Sequence, residues 1–421
     1  MKKVLLITLL CALVHIGYAQ YVEKPKDVAA SDAASRVNSN ENSAIDNSLS
    51  KTEGAIKGLF KKKKKPADTS NTAKRNNTPN NNLANNNNNS LVGIGGATIS
   101  AYNNYDFVPG DKIIFSDDFA DDQNGEFPAH WNLGAGQAVV NQIAGKAAFL
   151  LTDGNYTHVS PLIKSPSYLT DPFTIEFDSY GDGGYLPNLF FYNTNADATA
   201  AHNDLLKVSI NAGGAEVSNK EGLDLSANYP ASISGVSYEN KWHHIAIAYK
   251  NNQLKLYVDQ YRVLVVPNTG VTPHAFDVEG IGDGTKPIVL ANFRVANGGG
   301  MNMLGKKFTG AKIITHGINF DIDKAIIKPE SMGTLNMVAG VLRDNPDIKF
   351  EIDGHTDNTG SPAHNAALSQ QRADAVKTQL VTMGVDPSRL IAKGFGDTKP
   401  ISENMTPEGK ANNRRVEFVK Q

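Results

Sequence analysis

The chain of 421 residues carries 41 Lys and Arg against 43 Asp and Glu, a formal net charge of −2. That balance argues against a dedicated nucleic-acid binder, whose phosphate contacts need a concentrated basic surface. The length sets an expectation of two or three domains, and one cysteine, Cys11, cannot build an intramolecular disulfide.

Residues 1–19 have the pattern of a secretory signal peptide. Lys2 and Lys3 form the positive region, Val4 to Val14 the apolar run, and Gly17-Tyr18-Ala19 a small-residue cleavage site. The apolar run is shorter than the ~20 residues that span a bilayer. Cys11 lies inside it behind Leu10, where lipoprotein processing would want a small residue, so no lipid anchor is expected. The processed chain then lacks cysteine, which suits an oxidising compartment without requiring one.

Residues 20–107 read as a disordered linker. They are poor in large apolar residues and contain Asn76–Asn77, Asn80–Asn82 and Asn85–Asn89. Such a composition buries too little apolar surface to offset chain entropy. A flexible coil of this size has an end-to-end distance of about 50 Å. Within it, Leu59 and Phe60 run into Lys61 to Lys65. That run fits either a contact with an anionic membrane surface or a solvated charge run in a tether.

From residue 108 to 303 the pattern changes to short strands between turns. Phe173–Asp178, Leu189–Tyr192, Leu205–Ile210, Ile245–Tyr249, Leu254–Val258 and Ile288–Phe293 all qualify, with turn residues at Gly181–Gly184 and Asn251–Asn252. This rhythm predicts an all-β sandwich. Trp242-His243-His244-Ile245 followed by Leu256-Tyr257-Val258-Asp259 resembles the central hairpin of laminin-G-like, concanavalin A-like jelly rolls. Phe119 with Pro128 and Trp131 resembles their entry strand.

Glu176 and Asp178 share one strand face, which fits either the paired acids of a jelly-roll glycosidase or a solvated polar face. Asp117, Asp118, Asp121, Asp122 and Asn124 fit either a calcium site or an acidic turn. Alternation along the strand puts one of His243 and His244 inside and the other outside.

Residues 308–421 alternate strands with helices. Leu335, Val338 and Leu342 have helical spacing between Pro329 and Asn345-Pro346. Ile348, Phe350 and Ile352 share a strand face by period two. Ser361-Pro362 supplies an N-cap and first-turn proline to a second helix, with Ala373, Val376, Leu380 and Met383 as its buried stripe and Gly384 as its stop. Strands near 313–320, 390–394 and 415–419 complete a β-α-β-α-β-β order, a mixed sheet with two helices. The fold class expected is thus multidomain: an all-β sandwich and an α+β domain after a disordered linker.

The most informative stretch is Gly354-His355-Thr356-Asp357-Asn358-Thr359-Gly360, followed by Asn365-Ala366-Ala367-Leu368-Ser369-Gln370-Gln371-Arg372-Ala373. It sets a carboxylate on a glycine-bounded loop and a guanidinium on the next helix. Two unlike charges side by side suit a small zwitterion: the acid takes an ammonium, the planar guanidinium a carboxylate. Asn365 and Arg372 are about two helical turns apart and share a face.

Together with Ile318-Asn319-Phe320-Asp321, Gly394-Phe395-Gly396 and Asn413-Arg414-Arg415-Val416, in this order and spacing, these blocks resemble the OmpA-like peptidoglycan-binding domain. The resemblance implies a pocket for diaminopimelate of the peptidoglycan stem peptide. In it Asp357 takes the ammonium and Arg372 the carboxylate. Asn365, Thr359, Asp321 and Arg414 add hydrogen bonds, and Phe320 is an apolar wall. His364 departs from the tyrosine of many relatives and sits at the expected rim.

Arg414 and Arg415 should point to opposite faces of an extended segment, one of them as a structural ion-pair partner. No cofactor is expected, and no metal, since His355 has no second His or Cys at ligand spacing on its loop. The expectation is therefore a non-enzymatic envelope protein at the outer membrane or in the periplasm. Its C-terminal domain would grip peptidoglycan, and its sandwich would bind a glycan or protein or serve as a spacer. The alternatives are a polysaccharide-degrading sandwich and an outer-membrane β-barrel with a periplasmic tail.

Overall fold

The computed structural model describes residues 99–181, 183–198, 204–282, 284–299 and 308–421. The signal-peptide segment, Cys11, the Lys61–Lys65 run and the asparagine tract lie outside the described residues. The first thirteen strands are β1 (Lys112–Asp117), β2 (Trp131–Ile143), β3 (Lys146–Pro161), β4 (Phe173–Gly181), β5 (Asn188–Tyr192), β6 (Leu206–Ile210) and β7 (Gly214–Ser218). They continue with β8 (Asp224–Asn228), β9 (Lys241–Lys250), β10 (Gln253–Val258), β11 (Tyr261–Val266), β12 (Ala275–Gly282) and β13 (Ile288–Asn297).

All thirteen join one antiparallel sheet, in the order β11-β10-β9-β4-β13-β3-β12-β5-β6-β7-β8, with β1 on β13 and β2 on β3. The sheet curls until β11 packs against β7 and β8 at its far end. The inward-facing residues of both halves then share one core, including Phe149, Phe191, Ile247, Leu256 and Phe293. Asn251 and Asn252, between β9 and β10, have φ of 49° and 62°. Two left-handed residues in a row suit the twist of a two-residue hairpin, and asparagine tolerates that region.

The C-terminal domain runs β14 (Lys312–Thr315), α1 (Met332–Asp344), β15 (Phe350–His355), α2 (Pro362–Thr382), β16 (Leu390–Gly396), α3 (Pro407–Asn413) and β17 (Val416–Lys420). Its sheet order is β14-β17-β15-β16, with β15 and β16 parallel and the other pairs antiparallel. Ser361 caps α2 by accepting from His364 N, and the chain turns at Gly384 with φ 94°. Helix α3 departs from the two-helix expectation. Thr406 caps it by accepting from Gly409 N at 3.1 Å, but its seven residues offer only Ala411 as an apolar contact and so no readable stripe.

Two further departures follow from how the domains dock. The segment 99–107, expected to be linker, is packed. Tyr102, Tyr105 and Phe107 are buried in a second core with Tyr257 of β10 and Met332, Leu335 and Val338 of α1. Asp106 accepts from Tyr257 Oη at 3.0 Å and pairs with Lys255 and Arg262, while Asn336 Nδ2 donates to the carbonyls of Asn103 and Tyr105.

The outer face of β4 and β9 is covered rather than solvated. Glu176 and Asp178 are buried, and so are both His243 and His244. Alternation does send the two histidines to opposite faces, but the second face is closed by the other domain.

Gly333, at the start of α1, lies so close to the Phe107 carbonyl that a Cβ would clash with backbone. Gly333→Val should therefore destabilise the docked chain by about 1–3 kcal/mol, as over-packing does. The check is the denaturation midpoint of the full chain; an unchanged midpoint would show that the segment does not hold there.

Candidate functional site

The glycine-bounded loop leaves the end of β15, and α2 lies directly on that strand. Gly354 is required here because a Cβ would run into the Ser369 carbonyl of α2. This close approach brings the loop after Gly354 against the helix that carries Asn365 and Arg372. Asn365 is buried, and its Nδ2 donates to the Asp357 carbonyl at 3.3 Å.

Asp357 is 6% exposed. Its Oδ1 accepts from Thr359 N at 2.8 Å and its Oδ2 from Arg414 Nη1 at 2.7 Å. Burial pushes this carboxyl up, but the Arg414 guanidinium and the Thr359 contacts outweigh it and hold it below the usual carboxylate range. The acid thus has its own internal counter-ion, and that ion is Arg414 rather than Arg372.

Arg372 is held differently. Its Nε donates to the Lys324 carbonyl at 3.0 Å, its Nη2 lies 3.5 Å from the Asp321 carbonyl, and its guanidinium sits 4.9 Å from the Phe320 ring centroid. No carboxylate of the described residues is hydrogen-bonded to it. Burial and the neighbouring Arg414 lower its pKa.

Asp321 contributes its carbonyl, while its half-exposed carboxylate lies 3.8 Å from Lys324 Nζ. Exposed His364 pairs with Asp323 at 2.6 Å on the rim. Arg415 is the structural member of its pair: buried, it holds Glu417 at 2.7 Å and donates to the Lys399 carbonyl.

A cavity of about 180 Å³ opens beside Phe320, Arg372 and Arg414. Asn319 and His355, which stand in the motifs without an assigned role, line it, and so do residues outside the motifs: His316 of the C-terminal domain and Ile113, Ser116 and Arg294 from β1 and β13 of the sandwich. Arg294 had one legible signal, a lone cation in the apolar strand Ile288–Asn297.

Burial pushes His316 and His355 down to about 4, with nearby arginines adding to the effect. Both rings are therefore neutral near pH 7. His316 donates through Nε2 to the Asn412 carbonyl at 3.0 Å, while His355 stacks on Phe395.

In the sandwich, three carboxylates of the acidic turn make local contacts. Asp117 accepts from Phe119 N and Trp131 Nε1, Asp118 from Ala120 N, and Asp122 from Ala129 N. Glu176 is paired with Arg294 at 2.7 Å and Asp178 with Lys146 at 2.9 Å. His244 lies between these acids, 3.0 Å from Asp178 and 3.5 Å from Glu176. Burial disfavours the charged ring, yet the two carboxylates raise it to about 10. Burial also opposes ionisation of the acids, but their cationic partners hold both below the usual range.

The OmpA family model matches residues 319–414. The chain carries an OmpA family domain. Over 100 residues it is 46% identical to outer membrane porin F of Pseudomonas fluorescens, covering 24% of this chain and 31% of that protein. Over 102 residues it is 46% identical to the peptidoglycan-binding protein ArfA of Mycobacterium tuberculosis, with 24% and 31% covered. The chain thus spans about a third of the length of these two curated relatives. Among solved structures, the peptidoglycan-associated lipoprotein of Burkholderia pseudomallei is 32% identical, covering 25% of this chain and 88% of that one, at a TM-score of 0.24.

The two buried histidines set a pH dependence with a definite sign. Their folded-state values lie below the ~6.5 of a free imidazole, so the neutral rings favour the fold. That contribution is complete above pH ~6.5 and is lost as pH falls towards 4. His316→Asn should flatten part of the fall in thermal midpoint across this window; an unchanged profile would reject the assignment.

Proposed function

We propose that the C-terminal domain binds peptidoglycan non-covalently and tethers this chain to the cell wall within the envelope. The observation that carries this reading is the asymmetry of the two arginines. Arg414 is spent on Asp357 at 2.7 Å, whereas Arg372 is fixed by a carbonyl at 3.0 Å and an aromatic face and has no bound carboxylate among the described residues. A guanidinium oriented in advance loses little freedom on taking a carboxylate, and its planar fork matches that group.

The diaminopimelate of the stem peptide supplies a carboxylate and an ammonium on one headgroup. Its carboxylate goes to Arg372. Its ammonium shares the Asp357 carboxylate with Arg414, which is half-exposed and free to yield part of that contact. Thr359, Asn365 and Asp321 shape the loop and the arginine, and Phe320 supports the guanidinium. The relative named as peptidoglycan-binding supports peptidoglycan as the ligand.

The sandwich serves as a laminin-G-like jelly-roll spacer or as a binding module for a glycan or protein. Hydrolysis by Glu176 and Asp178 is the weaker reading, because a glycosidase keeps one acid protonated as proton donor. Here both acids are buried in ion pairs that favour the charged form. A lipid-facing barrel is also weaker, because the outer face of β4 and β9 is occupied by the C-terminal domain and its charged network. The outer membrane porin relative supports a location at the outer membrane, where a peptidoglycan-binding domain would face the periplasm.

The test is retention on purified sacculi. Asp357→Ala and Arg372→Ala should each weaken binding by about 10- to 100-fold, or about 1.4–2.8 kcal/mol, without altering the fold by circular dichroism. Retention equal to that of the unsubstituted chain would reject the pocket.

A further inference from the structure

The cavity beside Arg372 has one wall from each domain. Ile113, Ser116 and Arg294 of the sandwich face His316, Arg372 and Arg414 across about 180 Å³. A space of this size is large enough to admit ligand groups rather than a single water. None of its lining residues is acidic.

The wall also holds unpartnered polar atoms. Buried His316 leaves Nδ1 without a hydrogen bond, and buried His355 leaves both ring nitrogens so, at 3% and 4% exposure. In the neutral rings His316 Nδ1 can only accept, since its Nε2 donates, whereas His355 keeps one N–H free to donate. Polar atoms at this depth are costly until something pairs with them.

Arg294 is a fixed part of the wall. Its Nε and Nη2 donate to Glu176 Oε1 at 3.0 and 2.7 Å, and its Nη1 donates to the His316 carbonyl at 3.0 Å and lies 3.5 Å from Asn319 Oδ1. A guanidinium has five N–H donors, so one N–H on Nη2 is left over. Asn412 fastens the same junction, pairing its side-chain amide with the N–H and carbonyl of Ile113 at 3.1 and 2.8 Å.

We propose that the peptidoglycan site is a junction site. Arg294 and Ser116 of the sandwich close a carboxylate-accepting compartment next to Arg372, and the sandwich thereby selects stem peptides by how they end. This rests on the stem-peptide reading above. With the headgroup at Asp357 and Arg372, the terminal carboxylate of the stem enters the compartment. There it meets the remaining Arg294 N–H, a charge-assisted donor; an amide at the same end brings no charge and gains less.

The test uses the full chain and two soluble muropeptides, identical except that one stem ends in a free carboxylate and the other in an amide. Titration calorimetry should show the free acid bound at least tenfold more tightly. Arg294→Gln should reduce that preference to within twofold while amide binding persists. Because Arg294→Gln also unpairs Glu176, Ser116→Phe serves as the second variant: it fills the compartment, leaves the ion pair intact and should again remove the preference.

If the unsubstituted chain shows no preference, or if both variants keep the tenfold difference while Asp357→Ala loses binding, the junction proposal is overturned and the headgroup site stands. If Asp357→Ala binds both peptides unchanged, the headgroup reading fails and takes the proposal with it.

Discussion

The buried pair between Glu176 and Arg294 is the constraint on which the arrangement of this chain depends. Glu176 is 3% exposed, and a carboxylate at that depth is tolerable only if its partner and remaining lone pairs are well placed. Arg294 meets the demand with two donors to one oxygen and spends a third on the His316 carbonyl of the other domain. One side chain thus neutralises the sandwich's outer face and fastens that face to the C-terminal domain. His244, raised to about 10, extends the network to Asp178, which Lys146 and Asn292 complete.

Around this polar centre the docking is apolar. Tyr105 and Phe107 meet Tyr257 edge-on, each at 5.4 Å between ring centroids, and the same cluster reaches into the core beneath α1. Aromatic edges of this kind add modestly to the area they bury. The ion pairs fix orientation, since a rotated interface would leave buried charges without partners. A rigid junction explains how a sandwich strand comes to line a cavity beside Arg372.

Within the site, the division of labour between two arginines matters more than their number. Arg414 keeps Asp357 ionised and in place. Arg372 is held against Phe320 by carbonyl oxygens, which orient it without cancelling its charge. An acid and a base directly paired with each other would have stored the same charges in a closed bridge. Separate partners leave Arg372 without a hydrogen-bonded carboxylate among the described residues.

Much of this was legible in the chain itself. Period-two and helical apolar spacing marked β15, α1 and α2; Ser361-Pro362 and Gly384 marked the ends of α2; Asn251-Asn252 marked the hairpin. These features depend on local backbone preferences and on which face of one element is apolar, both readable within a dozen residues. The glycine-bounded loop and its helix likewise located Asp357, Asn365 and Arg372. What the tertiary structure alone decided is who meets whom: Arg414 rather than Arg372 on Asp357, His243 and His244 both buried, Tyr102 to Phe107 packed rather than free, and Arg294 at the cavity. Each depends on contacts between segments far apart in sequence, where pairing is set by packing and by the cost of burying a charge alone, and no local pattern encodes that.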